Sequence, residues 1–450
     1  MCAGARKLLL ILSLIFLTSC AIPAPSQPTP PWTTGFWLWS ESYNEAAGVN
    51  APVDVLFVHA GRISDDQKPG WNIYTRLPDS LPPARQYWLV LRYEHQGLPK
   101  SEILRELSEK INDLIIGAHR RHLPIAGIQL DIDCSTAKLA DYATFLHQVK
   151  AELPKGHELS ITALLDWFRP GTAIASVVKE VDEFVPQFYD VADRSEYSPS
   201  TIAAPVDAAK WGPIFNGLQK RYRIGISTFG RARKIPAGST ASDRRLGIAG
   251  FNDLKLIDIA ANSSFSSSAE HNKAGELVLS FRALNRFESD FNRFDPGDTA
   301  QFILATPESV HAAVANARQM KGLVSGVVFF RWSVSGETLA MEPDEVLAAV
   351  GASPPKPREH QIELIDGRCA AVTCADVYLT GATPFSSAPT RYRIHTSVEL
   401  EYFVPEKNLP VKMSGPSQLE VSLPPYCGRG RLYLGRAITS SPSKFTVEAQ

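Results

Sequence analysis

AGIQLDID, residues 126–133, sets an amide and two carboxylates at every second position of an otherwise apolar run. Side chains alternate faces along a strand, so Gln129, Asp131 and Asp133 share one face while Ile128, Leu130 and Ile132 share the other. The apolar set suits a layer of helices. The polar set must then line an interior, rising toward the C-terminal end of the strand. Buried carboxylates are costly unless paired, hydrogen-bonded or functional. Two of them about 7 Å apart on one strand face are also expected to raise one another's proton affinity, which suits a general acid.

Outward from this strand the pattern repeats. GFWLW (35–39), VDVLFVHA (53–60), YWLVLRY (87–93), IAGIQLDID (125–133), ELSITALL (158–165), EFVPQFY (183–189), RIGISTF (223–229) and GVVFFRW (326–332) are eight β-rich segments. Between them lie stretches of helical period, including 101–122, 137–153 and 307–320. Eight strand–helix units predict an α/β fold, a (β/α)8 TIM-type barrel over residues 35–352 whose active face is the C-terminal mouth. An open doubly wound sheet is the competing fold, but no glycine-rich phosphate fingerprint follows the first strand.

Residues 231–305 separate the seventh and eighth strands. They are expected to form an insertion at the mouth, either walling a cleft or merely decorating it. After the linker 353–359, residues 360–450 carry alternating segments that predict a β-rich, sandwich-like domain for carbohydrate contact, partner contact or packing.

The N-terminus pairs Arg6 and Lys7 with the apolar run LLLILSLIFL and then LTSC (17–20), too short for a spanning helix. Residues 1–19 read as a lipoprotein signal peptide with Cys20 as the lipidated residue, and residues 20–34 as a proline-rich tether. The expected location is the bacterial cell envelope. With Ala21 after the cysteine, resemblance to lipoprotein sorting rules implies a lipid anchor in the outer membrane, facing the periplasm. One disulfide is expected among Cys369, Cys374 and Cys427, with the pairing open, and a buried thiol at Cys134. A net charge of -1, with 44% hydrophobic and 21% charged residues, makes no electrostatic case for nucleic acid.

AGIQLDID resembles the fourth barrel strand of chitinase-like glycoside hydrolases of family eighteen, D-G-x-D-x-D-x-E. Gly127 and Asp131 match, while Ala126, Gln129 and Asp133 take the places of the first Asp, the second Asp and the Glu. QFYD (187–190) is similar to the sixth-strand motif and FFRWS (329–333) to the eighth. The chain also resembles bacterial lipoproteins carrying domain of unknown function 3142. The resemblance implies a glycan partner, no cofactor, and the substrate's own acetamido group as nucleophile. It implies Asp133 as acid, Asp131 orienting the acetamido group, Tyr189 as donor to it, Gln187 and Asp190 nearby, and Trp332 flooring the sugar. Aspartate is one methylene shorter than glutamate, so either the site is rebuilt around it or catalysis has given way to sugar binding.

Glu94 and Asp166 end the third and fifth segments and stand as replacement acids, or as turn residues. A metal-dependent hydrolase through His59, His95 and Asp131 is the weaker alternative, since no HxH or HExxH spacing backs it, and no metal is expected. HRRH (119–122) reads as a solvated helix end. Trp37, Trp39, Trp71, Trp88 and Trp167 are sugar platforms or packing.

Overall fold

The computed structural model describes residues 31–39, 53–64, 72–93, 95, 97–189, 201–239, 256–288, 292–333, 337–354, 359–367, 369, 373–381, 387–406, 409–426 and 431–450. In chain order the first strands are β1 (Thr33–Leu38), β2 (Val53–Ser64), a short β3 (Asn72–Thr75), β4 (Ala84–Tyr93), β5 (Ile125–Asp131), β6 (Glu158–Leu164), β7 (Glu183–Gln187) and β8 (Arg221–Ser227). An insertion follows with β9 (Arg231–Ile235), β10 (Phe265–His271), β11 (Leu277–Ala283), β12 (Phe287–Glu288), β13 (Arg293–Phe294) and β14 (Thr299–Leu304), before β15 (Val324–Phe330).

Strands β1, β15, β8, β7, β6, β5, β4 and β2 are hydrogen-bonded in that order and all parallel, and β1 pairs with β2 to close the ring. The fold is therefore a closed eight-stranded parallel barrel. The crossovers are helical because their apolar residues keep a helical period. In α1 (Leu104–Arg120) the buried residues Leu107, Ile111, Leu114, Ile115 and Ala118 recur at that spacing. α2 (Leu139–Glu152) and α3 (Ile174–Lys179) follow on the same plan, then α4 (Ala208–Gly217), capped by the Asp207 side chain. The insertion adds α5 (Leu256–Ala260). α6 (Pro307–Gln319) starts at a capping box of Thr306 and Ser309, with proline in its first turn, and α7 (Pro343–Ala349) closes the series.

Each barrel strand divides its side chains between two cores. Ile128, Leu130 and Ile132 are fully buried on the helix side, with Phe36, Leu89 and Phe184. Trp37, Val55, Phe57, Trp88, Val90, Val185 and Val328 fill the interior. Below them the fully buried Glu183 is paired with Arg223, and Arg221 Nε donates to its other oxygen at 2.8 Å. A Cβ on Gly127 would lie 1.9 Å from the Glu158 carbonyl oxygen, so the start of β5 must be glycine to approach β6 this closely.

The insertion forms a four-stranded antiparallel sheet, β10-β11-β14-β9, with its own apolar core around Leu279, Phe281 and Phe302. The C-terminal residues form β16 (Gln361–Asp366), β17 (Thr373–Thr380), β18 (Thr390–Thr396), β19 (Leu400–Pro405), β20 (Val411–Gly415), β21 (Gln418–Leu423), β22 (Leu432–Thr439) and β23 (Phe445–Ala449). They make two sheets, β16-β17-β22-β19 and β20-β21-β18-β23, whose facing residues Val377, Leu379, Ile394, Leu419 and Val421 share one core. Cys369 and Cys374 form a disulfide with Cα atoms 5.9 Å apart, while Cys427 lies outside the described residues. The insertion and the sandwich touch: Ile257 of α5 packs on the sandwich core, and Tyr426 on the insertion core.

Candidate functional site

At the C-terminal mouth of the barrel is a cavity of about 250 Å³. Its floor is set by Asp131, the last residue of β5, which is only 6% exposed. Burying this carboxylate is tolerable because its oxygens are met from three other strands. Thr162 Oγ1 of β6 donates to Oδ1 at 2.6 Å, and Gln187 Nε2 of β7 reaches the same oxygen at 3.5 Å. Arg92, the register partner of Asp131 on β4, places Nη1 3.8 Å from Oδ2. Asp133, two residues on, is exposed and also lines the cavity.

Aromatic rings form the opposite character of the same cavity: Trp37, Trp39, Tyr189, Phe229 and Phe330 all line it. Tyr189 stacks on Phe330 with centroids 4.7 Å apart, and Trp37 meets Tyr189 edge-on at 5.6 Å. A Cβ on Gly225 would lie 3.0 Å from the Trp37 ring and 3.1 Å from that of Tyr189, so the bare backbone of β8 makes room for both. Gln129 holds this arrangement from beneath. It accepts from Trp37 Nε1 at 2.8 Å and donates to Ser160 Oγ at 3.1 Å.

The insertion contributes a wall. Phe229, Gly230 and Arg231 line the cavity where β8 passes into β9. Ile202, from the segment after β7, also lines it. That segment is fastened by Glu276 of the β10–β11 connection, which accepts from Thr201 Oγ1 at 2.9 Å and Ile202 N at 3.2 Å. Burial pushes the Glu276 carboxyl above the usual carboxylate range, with hydrogen bonds from Asn272, Thr201 and Ile202 pulling it back.

Asp131, Asp133, Gln187 and Tyr189 therefore meet in one cavity. Gln129 is fully buried under it and is a support of Trp37, not a lining residue. The expectation for Trp332 needs correction. Trp332 is fully buried on the helix side, its ring 5.3 Å from that of Phe36, and Phe330 is the eighth-strand aromatic that lines the cavity. Asp166 is likewise a turn residue: it sits in the 3-10 turn Leu165–Phe168, pairs with Arg169 at 2.8 Å and does not line the cavity. Glu94, Asp190, Trp71 and Cys20 lie outside the described residues.

Of the remaining tryptophans, Trp37 and Trp39 line the cavity. Trp88 is interior packing, and Trp167 donates to the Cys134 carbonyl at 2.9 Å. Cys134 is a buried thiol, its pKa pushed up to about 12 by desolvation and then by Asp133. His59 stacks on Trp39 at 4.8 Å, and His95 lies 3.3 Å from Ser64 Oγ. Among the described residues, no group of three His, Cys, Asp or Glu side chains is placed to hold a metal ion.

Sequence reasoning passed over Arg92, Thr162, Arg231 and Phe330. For Arg92 and Thr162 the signal was present, since they continue the inward parity of Trp88 and Val90 on β4 and of Ser160 on β6. Arg231 lies beyond a strand end, where parity gives no guide.

Residues 84–272 match the family model described as "Domain of unknown function (DUF3142)". No curated protein matches the chain in sequence. Among solved structures, the Bacillus cereus spore cortex-lytic enzyme SleL is similar at 14% identity and a TM-score of 0.46, over 74% of this chain and 77% of that one. A glycoside hydrolase family 18 N-acetylglucosaminidase from Paenibacillus barengoltzii has 13% identity and a TM-score of 0.44, over 71% and 98%. A mutant family 18 chitinase from Cycas revoluta, in complex with (GlcNAc)4, has 10% identity and a TM-score of 0.42, over 71% and 98%.

Proposed function

We propose that this chain is a glycan-acting barrel of the bacterial envelope, a glycoside hydrolase for N-acetylated polysaccharide. The observation that carries the reading is the pairing, in one cavity, of a carboxylate held from three strands with a set of aromatic rings. Rings supply flat apolar faces for pyranose C–H groups, and the carboxylate supplies charge beside an anomeric centre that turns cationic as the bond breaks.

In this mechanism Asp133 gives its proton to the glycosidic oxygen as the C1–O bond breaks. The acetamido carbonyl oxygen of the same sugar attacks C1, and Asp131 takes up the charge that develops on the acetamido nitrogen. Tyr189 donates a hydrogen bond to the carbonyl oxygen. Water then opens the cyclic intermediate, returning its proton to Asp133.

A second reading, sugar binding without cleavage, is favoured by Arg92, whose guanidinium stands by Asp131 where an incipient cation would otherwise be the nearest positive charge. The test is the full-length chain in detergent, wild type against Asp131→Asn and Asp133→Asn, followed for binding and for reducing-end release on chitin, peptidoglycan and exopolysaccharide fragments. Release lost in both variants while binding persists supports the hydrolase. Binding without release in the wild type supports the second reading, and absence of both overturns the glycan assignment.

We also propose export and tethering through Cys20 and the proline-rich residues 20–34, facing the periplasm from the outer membrane. No helix among the described residues is long and apolar enough to cross a membrane. Palmitate labelling of the wild type, lost in Cys20→Ser, is the expected result.

A further inference from the structure

The cavity is electrically two-sided. Asp131 and Asp133 come to it from the end of β5, whereas Arg231 comes from β9 of the insertion and is only 6% exposed. Arg233 follows two residues on, on the same face of the strand, with Nε 2.8 Å from Gln301 Oε1. It too is buried, and desolvation followed by the charge of Arg231 lowers its pKa to about 10. Keeping two guanidiniums side by side under cover is unfavourable unless carboxylates answer them. Within the protein Glu276, 3% exposed, is one carboxylate in electrostatic reach of Arg231.

Arg92 adds a further guanidinium to the lining. It lies over the Trp39 ring, 5.4 Å from the centroid, with its side chain 44% exposed. A neutral sugar needs aromatic faces and hydroxyl-directed polar groups, and the cavity has both in Trp37, Trp39, Gln187 and Ser227. The arginines answer a different need. A guanidinium is a planar fork of five N–H donors that fits a carboxylate by two parallel hydrogen bonds, and it can do so while keeping other partners.

We infer that the glycan taken by this cavity carries a carboxylate on a sugar beside the one being cleaved, gripped by Arg231 on the insertion side and by Arg92 at the rim, while Asp131 and Asp133 face the anomeric centre. The inference rests on the glycan reading above and narrows it to acidic glycans. The insertion thereby gains a function, since β9 brings the charge that selects the substrate and Glu276 ties the adjoining wall to the same unit.

The test is calorimetric binding to the full-length chain in detergent. The probes are a hyaluronan hexasaccharide, which alternates acetamido and carboxylate sugars, the same oligosaccharide with its carboxylates reduced to alcohols, an oligogalacturonate hexamer, and chitohexaose. At least one native acidic probe is expected to bind about tenfold or more tighter than its neutral counterpart, the worth of a charge-assisted hydrogen bond, and to weaken as salt rises. For oligogalacturonate the counterpart is likewise the carboxyl-reduced hexamer. Arg231→Gln and Arg92→Gln should each reduce that preference, read within each variant as the ratio of native to carboxyl-reduced affinity, so that any change in neutral binding cancels. Arg92, being exposed, keeps the test valid if Arg231→Gln fails to fold, and the reduced-ligand comparison needs no variant at all.

Equal binding of native and reduced probes, or a preference untouched by both substitutions, overturns the inference and leaves the glycan reading standing. No binding of any of these probes overturns the inference together with the reading beneath it.

Discussion

Thr162 Oγ1 donates to Asp131 Oδ1 across 2.6 Å, joining the sixth-strand hydroxyl to the carboxylate at the centre of the cavity. Both side chains are buried, so no bulk water stands ready to replace the bond. A hydrogen bond to a charged group under cover contributes about 1.5–3 kcal/mol. Thr162→Val keeps the shape and removes the donor. On the hydrolase reading, reducing-end release is expected to fall about ten- to a hundredfold, and urea denaturation should register a stability loss within that same range of about 1.5–3 kcal/mol.

Phe330 and Trp332 stand two residues apart, the first lining the cavity and the second buried in the core. Phe330→Ala removes one ring of the stacked pair with Tyr189 and is expected to weaken oligosaccharide binding about tenfold. Trp332→Phe should leave binding unchanged while lowering stability by about 1–3 kcal/mol, read by urea denaturation.

Glu276 predicts a pH dependence of stability. Burial raises its carboxyl above the unfolded value, so the folded chain binds the proton more tightly. Its contribution is fully present below the ordinary carboxylate pKa and is lost as pH rises through the raised one. Glu276→Gln removes the titration. The difference in Tm between variant and wild type, followed from pH 4 upward through the mildly acidic range (roughly to pH 7), should shift in the variant's favour as pH rises. A flat difference would show that Glu276 does not titrate differently on folding.

Glu183 and Arg223 form an ion pair at the base of the barrel, 0% and 5% exposed. Glu183→Gln leaves two arginines around a neutral amide and should cost about 3–5 kcal/mol by chemical denaturation. Removing both charges, with Glu183→Gln and Arg223→Met together, is expected to cost less than the single change, since no buried cation is then left without its counter-charge at that position.

The barrel is legible in the sequence because a closed parallel sheet repeats one rule eight times. Ile128, Leu130 and Ile132 face helices, Gln129 and Asp131 face the interior, and the helices between strands keep their own period. The site is legible only as far as that parity runs. On β15 the inward residues are Val328 and then Phe330, and simple extension would make Trp332 the next. The strand stops at Phe330, Trp332 N bonds to the Trp37 carbonyl at 2.9 Å, and the indole turns into the outer core. Asp166 is lost to the site in the same way, re-aimed by the 3-10 turn that follows β6. Arg231 reaches the cavity by the path of the insertion, which local pattern does not encode.

The mutual seating of Ile257 and Tyr426 gives the last hundred residues a part in the mouth of the barrel. Each module lends the other an apolar plug, so the insertion is clamped between the barrel that it decorates and the sandwich that follows. Deleting the sandwich would uncover Ile257 and take Tyr426 from the insertion core, loosening the very unit that carries Arg231. The C-terminal domain is thus a buttress for the insertion at the barrel mouth as well as a surface of its own.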